Sequence, residues 1–400
     1  MNAAAHAVDL DRLVEMTRQL VAADTRNPPG NEGLAVAVAE RLLADIVTRT
    51  RRITSKDSDR VSLIAEIGEQ HHDRPTLVIN GHLDVVPIVA ERWTRDPFGG
   101  ELDTVTGRLY GRGTTDMKGG IAASIEALLS MREAQITPPC NIVMHLVADE
   151  ELGGTHGTAV LSTKRLIDAD ACIIPEPTDL NVCVAERGFA HVRITARGVP
   201  GHGSQPHTGR SAVAQLGLIA YHLHGRRFGS HHGHALLDDP TCNVGVFNGG
   251  TAHNIIAESA AIDLDRRLIP GMTAETVLAE LAEEIKSLAA QHPDIDPDNF
   301  ELEMIRLGEP SEQSPQHPWS QSVVDALMSV GSYPKLIGMP FTTDARFVRN
   351  QHQIPTIVCG PGRIDQAHTD DEYVEIDQLG RFAEMMISLI SNFGSPLPQL

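Results

Sequence analysis

His82-Leu83-Asp84 directly follows the short apolar run Leu77-Val78-Ile79-Asn80-Gly81. In an extended chain residues two apart point the same way, so His82 and Asp84 share a side. A histidine that binds metal through one ring nitrogen usually gives its other N–H to a carboxylate, and Asp84 is placed to take it. A second cluster reads Gly111-Arg112-Gly113-Thr114-Thr115-Asp116-Met117-Lys118-Gly119-Gly120. Glycines on both sides of one aspartate imply an unusual backbone, and a carboxylate held there suits one cation or bridges two. A third cluster, Asp149-Glu150-Glu151-Leu152-Gly153-Gly154, follows an apolar run ending at Ala148. Adjacent acids repel one another unless a cation compensates them, and neighbouring glutamates can divide the work of ligand and base. Glu176, between Pro175 and Pro177, and His368, in Gln366-Ala367-His368-Thr369-Asp370-Asp371-Glu372, complete the set. Taken singly, each is compatible with a solvated turn or a surface acid. Together they fall just beyond apolar strands, where open α/β sheets gather their ligands.

The elements that must carry these residues can be traced along the chain. Leu10, Leu13, Val14, Leu20 and Val21 suit an amphipathic helix, and a second runs through Leu34, Val36, Val38, Ala39, Leu42 and Leu43. Strands are expected at Val61 to Ile67, at Leu77 to Gly81, at Asn141 to Ala148 and within Leu166 to Ile174, with a helix after Gly119-Gly120. Continuous apolar strands between helices indicate a sheet buried on both faces, hence α/β. From about Val184 the pattern changes: Val192, Ile194 and Ala196 alternate with His191, Arg193 and Thr195, as in a strand with one wet face. A helix after Gly209, strands near Cys242–Phe247 and Ser259–Arg266, a helix from Val277 to Leu288 and a strand at Phe300–Ile305 follow. That order fits a small α+β domain with helices on one face. The α/β pattern then resumes, with helices near Ser320–Val330 and Asp377–Asn392. The expected organisation is one α/β domain, residues 1–184 and 307–400, interrupted by an α+β domain over residues 185–306.

Bulk properties narrow the possible partners. With 33 basic against 53 acidic residues the formal charge is -20, which repels nucleic acid and anionic membrane. The five cysteines are scattered and contain no Cys-x-x-Cys pair, so neither a disulfide framework nor a thiolate zinc site is expected. Any metal must be held by His and carboxylates. The first residues lack a basic start followed by an apolar core, and no run of 18 apolar residues occurs, so a cytoplasmic location is expected. The His-rich stretch from His222 to His234 reads as a solvated loop, and His145 as a core residue of its strand.

The five motifs, in order between Asn27-Pro28-Pro29-Gly30 and His368-Thr369-Asp370-Asp371-Glu372, resemble a known family. It is that of the two-zinc hydrolases typified by acetylornithine deacetylase, succinyl-diaminopimelate desuccinylase and glutamate carboxypeptidase. The resemblance runs over nearly the whole chain. It implies a three-layer, zinc-peptidase-like catalytic domain interrupted by a lid and dimerisation domain. His82 and Glu176 would bind one zinc, Glu151 and His368 the other, and Asp116 would bridge both. Glu150 matches the family's general base and Asp84 the partner of His82, and a non-proline cis bond is implied after Asp116.

In the inserted domain, Gly201-His202-Gly203-Ser204-Gln205-Pro206-His207 resembles the family's lid motif. Its first histidine polarises the substrate carbonyl across a dimer interface, which assigns that role to His202 and a structural one to His207. Asn254 and Arg267 match positions that hold the substrate's carboxylate, a planar anion that a guanidinium suits. Here Asn254-Ile255-Ile256-Ala257 replaces the usual Asn-Val-Ile-Pro, and Arg266 beside Arg267 leaves open which arginine faces the site. The implied activity is hydrolysis of the amide bond of an N-acyl amino acid, of the acetylornithine deacetylase or succinyl-diaminopimelate desuccinylase type. A dipeptidase or carboxypeptidase of the same family is the alternative, and a metal-stabilised binding protein without catalysis a third reading. His and carboxylate ligands suit two zinc ions, and cobalt or manganese could occupy the same set. The partners expected are a small N-acyl amino acid or short peptide and a second copy of the chain.

Overall fold

In the computed structural model, which describes residues 8–56, 58–228 and 233–394, Asp9 accepts the Arg12 N–H (3.0 Å) and starts the first helix. That helix, α1 (Leu10–Ala22), buries Leu13, Val14, Met16, Leu20 and Val21 on one side. There follow α2 (Glu32–Leu43), β1 (Val47–Thr54), β2 (Val61–Ile67), β3 (Thr76–His82), β4 (Glu101–Asp103) and β5 (Arg108–Tyr110). The chain continues through α3 (Gly119–Glu133), β6 (Asn141–Val147), α4 (Thr158–Thr163), β7 (Ala171–Ile174) and β8 (Val182–Glu186). Next come β9 (Gly188–Arg197), α5 (Ala212–Leu223), β10 (Cys242–Gly249), β11 (Ser259–Leu268), α6 (Ala274–Gln291) and β12 (Phe300–Gly308). The last elements are β13 (Ser311–Glu312), α7 (Pro318–Ser329), β14 (Leu336–Met339), β15 (Thr356–Val358), β16 (Tyr373–Glu375) and α8 (Ile376–Asn392). The chain forms two compact units, one comprising residues 1–184, 313–337 and 343–400, the other residues 185–312 and 338–342.

The first unit is organised by a mixed sheet in the order β1-β2-β6-β3-β7-β15-β8. Its centre is parallel: β3 pairs with β6 and β7, and β15 with β7, so these four strands end on the same side. In β3 and β7 consecutive residues, which point to opposite faces, are buried alike. Helices therefore cover both faces, which is the α/β layering expected from the apolar runs. Of the expected Leu166 to Ile174 segment only Ala171–Ile174 is strand. A separate antiparallel sheet, β16-β5-β4, lies beside the ends of α3 and α8 in the chain.

The second unit is a four-stranded antiparallel sheet, β10-β11-β9-β12. Along β9 and β11 every second residue is buried. Val192, Ile194, Ile262 and Leu264 thereby share a core with Leu216 and Ile219 of α5 and Val277, Leu281 and Ile285 of α6. The strand-helix-strand-strand-helix-strand order is the one read from the changing periodicity. A Thr273–Thr276 capping box starts α6. His222 belongs to the last turn of α5, not to a loop, and its imidazole meets Glu284 of α6 at 2.7 Å. Residues 229–232 of the His-rich stretch lie outside the described residues.

Candidate metal centre

The carboxyl ends of β3, β6 and β7 deliver the acids and one histidine to a single place. His82 is the last residue of β3, Glu150 and Glu151 follow β6, and Glu176 follows β7. Glu176 is set by close backbone packing: a Cβ on Gly120 or on Gly360 would run into the Pro175 carbonyl oxygen. That is a physical reason for glycine at both positions. Asp116 is fixed from the other side. Glu372, at the entry to β16, accepts the N–H groups of Gly113 (3.1 Å), Thr115 (2.9 Å) and Asp116 (3.1 Å), and pairs with Arg112. Gly113 has φ +88, which the loop needs and a residue with a Cβ resists. The Asp116–Met117 peptide is cis, as the resemblance implied.

Five side chains expected as ligands converge. His82 Nε2 lies 3.0 Å from Asp116 Oδ1 and 3.5 Å from Glu176 Oε1. His368 Nε2 lies 3.2 Å from Asp116 Oδ2 and 3.0 Å from Glu151 Oε2. Asp116 thus turns one oxygen to each histidine, at the centre of two histidine-plus-glutamate groups. Glu150 adjoins His82 and Glu176, with ligand atoms mutually within 4.8 Å. Burial pushes the Glu176 carboxyl up to about 8 and that of Glu151 up to about 7, with nearby Asp116 adding to both. Burial also raises Glu150 well above the usual carboxylate range. Hydrogen bonds to Asp116 and Glu151 raise His368 to about 11. For Asp116 burial acts the opposite way, yet the hydrogen bonds of His368 and His82 hold its carboxyl low. Glu151 Oε1 is buried without a hydrogen-bond partner. Four crowded carboxylates, two imidazoles and an orphaned carboxylate oxygen fit divalent metal, whose charge would let the acids ionise together.

The role of Asp84 differs in one respect from expectation. His82 Nδ1 sits 2.9 Å from the Asp84 main-chain carbonyl and 3.7 Å from its Oδ1. The imidazole is therefore oriented by the backbone oxygen. The fully buried carboxylate faces the strand-end turn instead, accepting the N–H groups of Glu150 (3.1 Å) and Glu151 (3.2 Å).

His202, Asn254 and Arg267 belong to the second unit. His202 is exposed, its Nδ1 2.7 Å from Ser204 Oγ, and its backbone bridges Ile255. Asn254 is exposed and its carbonyl accepts the Gly203 N–H (2.8 Å). The two arginines differ sharply. Arg266 is fully buried, stacked 3.6 Å over the Phe228 ring and bonded to Glu280 (2.7 Å), whereas Arg267 is part-exposed beside Asp265 (3.0 Å). Arg266 is thereby removed as a ligand-facing candidate. His207 is exposed on a short turn. In the first unit His145 is a core residue, its imidazole pushed down to about 4 by burial. Residues not singled out from sequence also support the site: Glu372 clamps the Asp116 loop, and the fully buried Lys118 donates to the Ala23 carbonyl (2.8 Å). A clue to Glu372 was its place at the end of the His368 motif, where three acids follow one another.

Fold and centre together define a metal-dependent hydrolase. The chain matches the profile of peptidase family M20/M25/M40 over residues 78–392, and it belongs to that family. It is 30% identical over 396 residues to the acetylornithine deacetylase of Proteus mirabilis (strain HI4320), covering 96% of this chain and 98% of that protein. The acetylornithine deacetylase of Edwardsiella ictaluri (strain 93-146) is also 30% identical over 396 residues, covering 96% and 98%. Among solved structures, aminopeptidase PepT from Bacillus cereus ATCC 10987 superposes with a TM-score of 0.75 at 20% identity, over 96% of this chain and 99% of that one. A Bacillus subtilis dinuclear metal-binding peptidase from the M20 family gives 0.69 at 16% identity, over 97% and 99%. At such identities these two likenesses speak for the fold. Among the described residues no helix is long and apolar enough to cross a membrane, and the five cysteines are buried and form no disulfide.

Proposed function

We propose that the protein is a two-zinc deacylase that hydrolyses the amide bond of a small N-acyl amino acid. The observation that carries this reading is the disposition of Asp116, one carboxylate oxygen toward His82 and the other toward His368. His82, Glu176 and Asp116 would hold one zinc, and Glu151, His368 and Asp116 the other. Bound there, the ions would polarise the amide carbonyl and make a water acidic enough to deprotonate near neutral pH. Glu150, recessed beside His82 and Glu176 without being needed in either ligand group, accepts the proton of the attacking water. It then returns that proton to the departing amine. His202 donates to the oxyanion that forms at the carbonyl oxygen, and Asn254 and Arg267 receive the substrate's carboxylate. Asp84 orients His82 through its carbonyl and keeps Glu150 and Glu151 in place through its carboxylate.

The working form is a homodimer in this reading. β10 is an edge strand of the second unit's sheet, and it exposes Val246 and Phe247. Helix α5 exposes Leu218 and Tyr221. An open edge with apolar side chains invites pairing with another strand. The second unit, residues 185–312 and 338–342 where the sequence suggested 185–306, is then the lid and dimerisation domain.

Substrate preference tests the reading. A panel of N-acetyl, N-succinyl and N-formyl amino acids, N-acetylornithine included, is compared with simple dipeptides on the zinc-loaded protein. The expected result is turnover of an N-acyl amino acid with kcat/KM at least about tenfold above any dipeptide, a difference of about 1.4 kcal/mol at the transition state. Faster dipeptide cleavage would move the protein to the peptidase reading.

A further inference from the structure

Behind the metal centre lies a buried charge cluster that the reaction itself does not use. Arg60, just before β2, is almost fully buried, and so are Glu32, Asp84 and Asp149 around it. Its Nε is 2.8 Å from Glu32 Oε1, and its Nη1 is 3.0 Å from Asn27 Oδ1 and 3.1 Å from Asp149 Oδ1. Its Nη2 stands 3.8 Å from Asp84 Oδ2. Asn27 turns its amide to the same two acids, Nδ2 reaching Asp84 Oδ2 at 2.8 Å and Asp149 Oδ1 at 3.3 Å. The guanidinium lies against Gly30, where a Cβ would collide with it. The Asn27-Pro28-Pro29-Gly30 stretch therefore has a structural purpose: it forms one wall of the arginine's socket.

The two acids are the supports of the Glu150–Glu151 turn. The Asp84 carboxylate takes both of that turn's N–H groups. Asp149 begins the turn at φ +68, its side chain accepting the His156 N–H at 2.9 Å and its carbonyl the Gly154 N–H at 2.6 Å. Two carboxylates sharing one amide group repel each other in a low-dielectric interior unless a cation lies against both. Of the other buried cations at this end, Lys118 donates to the Ala23 carbonyl, Arg112 pairs with Glu372 and Arg346 donates to the Gly153 carbonyl.

We propose that Arg60 is a positioning residue for catalysis, its guanidinium holding Asp84 and Asp149 so that Glu150 and Glu151 are presented to the metal centre in register. The proposal rests on the functional reading above. Outer partners of metal ligands typically change affinity or activity by roughly 10- to 100-fold when lost, and a change of that size is expected here. Asp84 reaches the base and the His368-side ligand through one backbone segment. The loss therefore falls on kcat and on the affinity for the second metal, and leaves KM within about threefold.

The test uses the full chain as wild type, Arg60→Lys, Arg60→Met and Arg60→Met combined with Asp149→Asn. For each, kcat and KM are measured with metal loaded, and zinc is titrated calorimetrically into the metal-stripped protein. Thermal unfolding is recorded in parallel. The expected result is a roughly 10- to 100-fold fall in kcat and in second-metal affinity for Arg60→Met. Arg60→Lys, which keeps the charge without the fork, should fall between that variant and wild type. Removing the Asp149 charge should restore part of what Arg60→Met loses. If Arg60→Met does not fold, Arg60→Lys decides on the same two readouts. Variants that melt earlier but keep wild-type kcat and metal affinity would reduce Arg60 to a stabilising role and overturn the proposal. A wild type that takes up no zinc overturns the functional reading itself, and the inference with it, and is distinguished by the first titration.

Discussion

Glu150→Gln is expected to lower kcat by roughly a thousandfold or more while leaving zinc uptake intact. The side chain keeps its size and loses the one property the mechanism requires, a carboxylate that can gain and release a proton. Glu150 is not in either histidine-plus-glutamate group around Asp116, so amide substitution removes none of the proposed ligands. Its burial, which raises its carboxyl well above the ordinary range, suits a group that exchanges a proton during turnover. KM should change little, because the proton transfer belongs to the transition state and not to substrate binding. Steady-state kinetics on a sample whose zinc content equals that of wild type gives the result. A variant within about tenfold of wild type would remove Glu150 as the base and leave it as a ligand or a structural acid.

His202→Ala should lose roughly 10²- to 10³-fold in kcat, the usual effect of deleting one donor to an oxyanion. Its larger value is as one half of a pair. If His202 of one copy serves the centre of another, the inactive variants Glu150→Gln and His202→Ala complement each other when mixed under conditions that exchange subunits. In a mixed dimer, the copy carrying His202→Ala keeps its own Glu150 and receives an intact His202 from the copy carrying Glu150→Gln. Random exchange makes half the dimers mixed, each with one competent site, so activity should return to about a quarter of wild type. If His202 acts on its own chain's centre, each copy retains one fatal defect and the mixture stays inactive.

How far the site could be read in advance depended on how locally each residue's environment is written. His82, Glu150, Glu151 and Glu176 stand at the ends of apolar runs, beside glycines and prolines that mark the chain's exit from the sheet. Their convergence follows from parallel strands ending on one side. Asp116 was legible because glycines flank it. Arg60 was not: it follows the polar sequence Ser58-Asp59, and its partners Glu32, Asp84 and Asp149 are brought to it by the fold alone. The contact of His82 with the Asp84 carbonyl was likewise hidden, because spacing alone does not separate a main-chain from a side-chain acceptor.

Among the elements, β1 escaped notice since Val47-Thr48-Arg49-Thr50-Arg51-Arg52-Ile53-Thr54 forms a solvated edge with little apolar alternation. The strands β4, β5 and β16 are three residues each, too short for any periodicity to register. The α+β unit was readable because β9 and β11 alternate strictly between buried and wetter positions.

The central claim is that His82, Asp116, Glu151, Glu176 and His368 hold two metal ions that hydrolysis requires. The most direct test is to strip the protein with a chelator and return zinc in measured steps, following bound metal and amide hydrolysis in the same sample. The account predicts close to two zinc ions per chain, with no turnover in the stripped protein and recovery as the sites fill. Undiminished hydrolysis without metal, or a protein that binds no zinc, would contradict it.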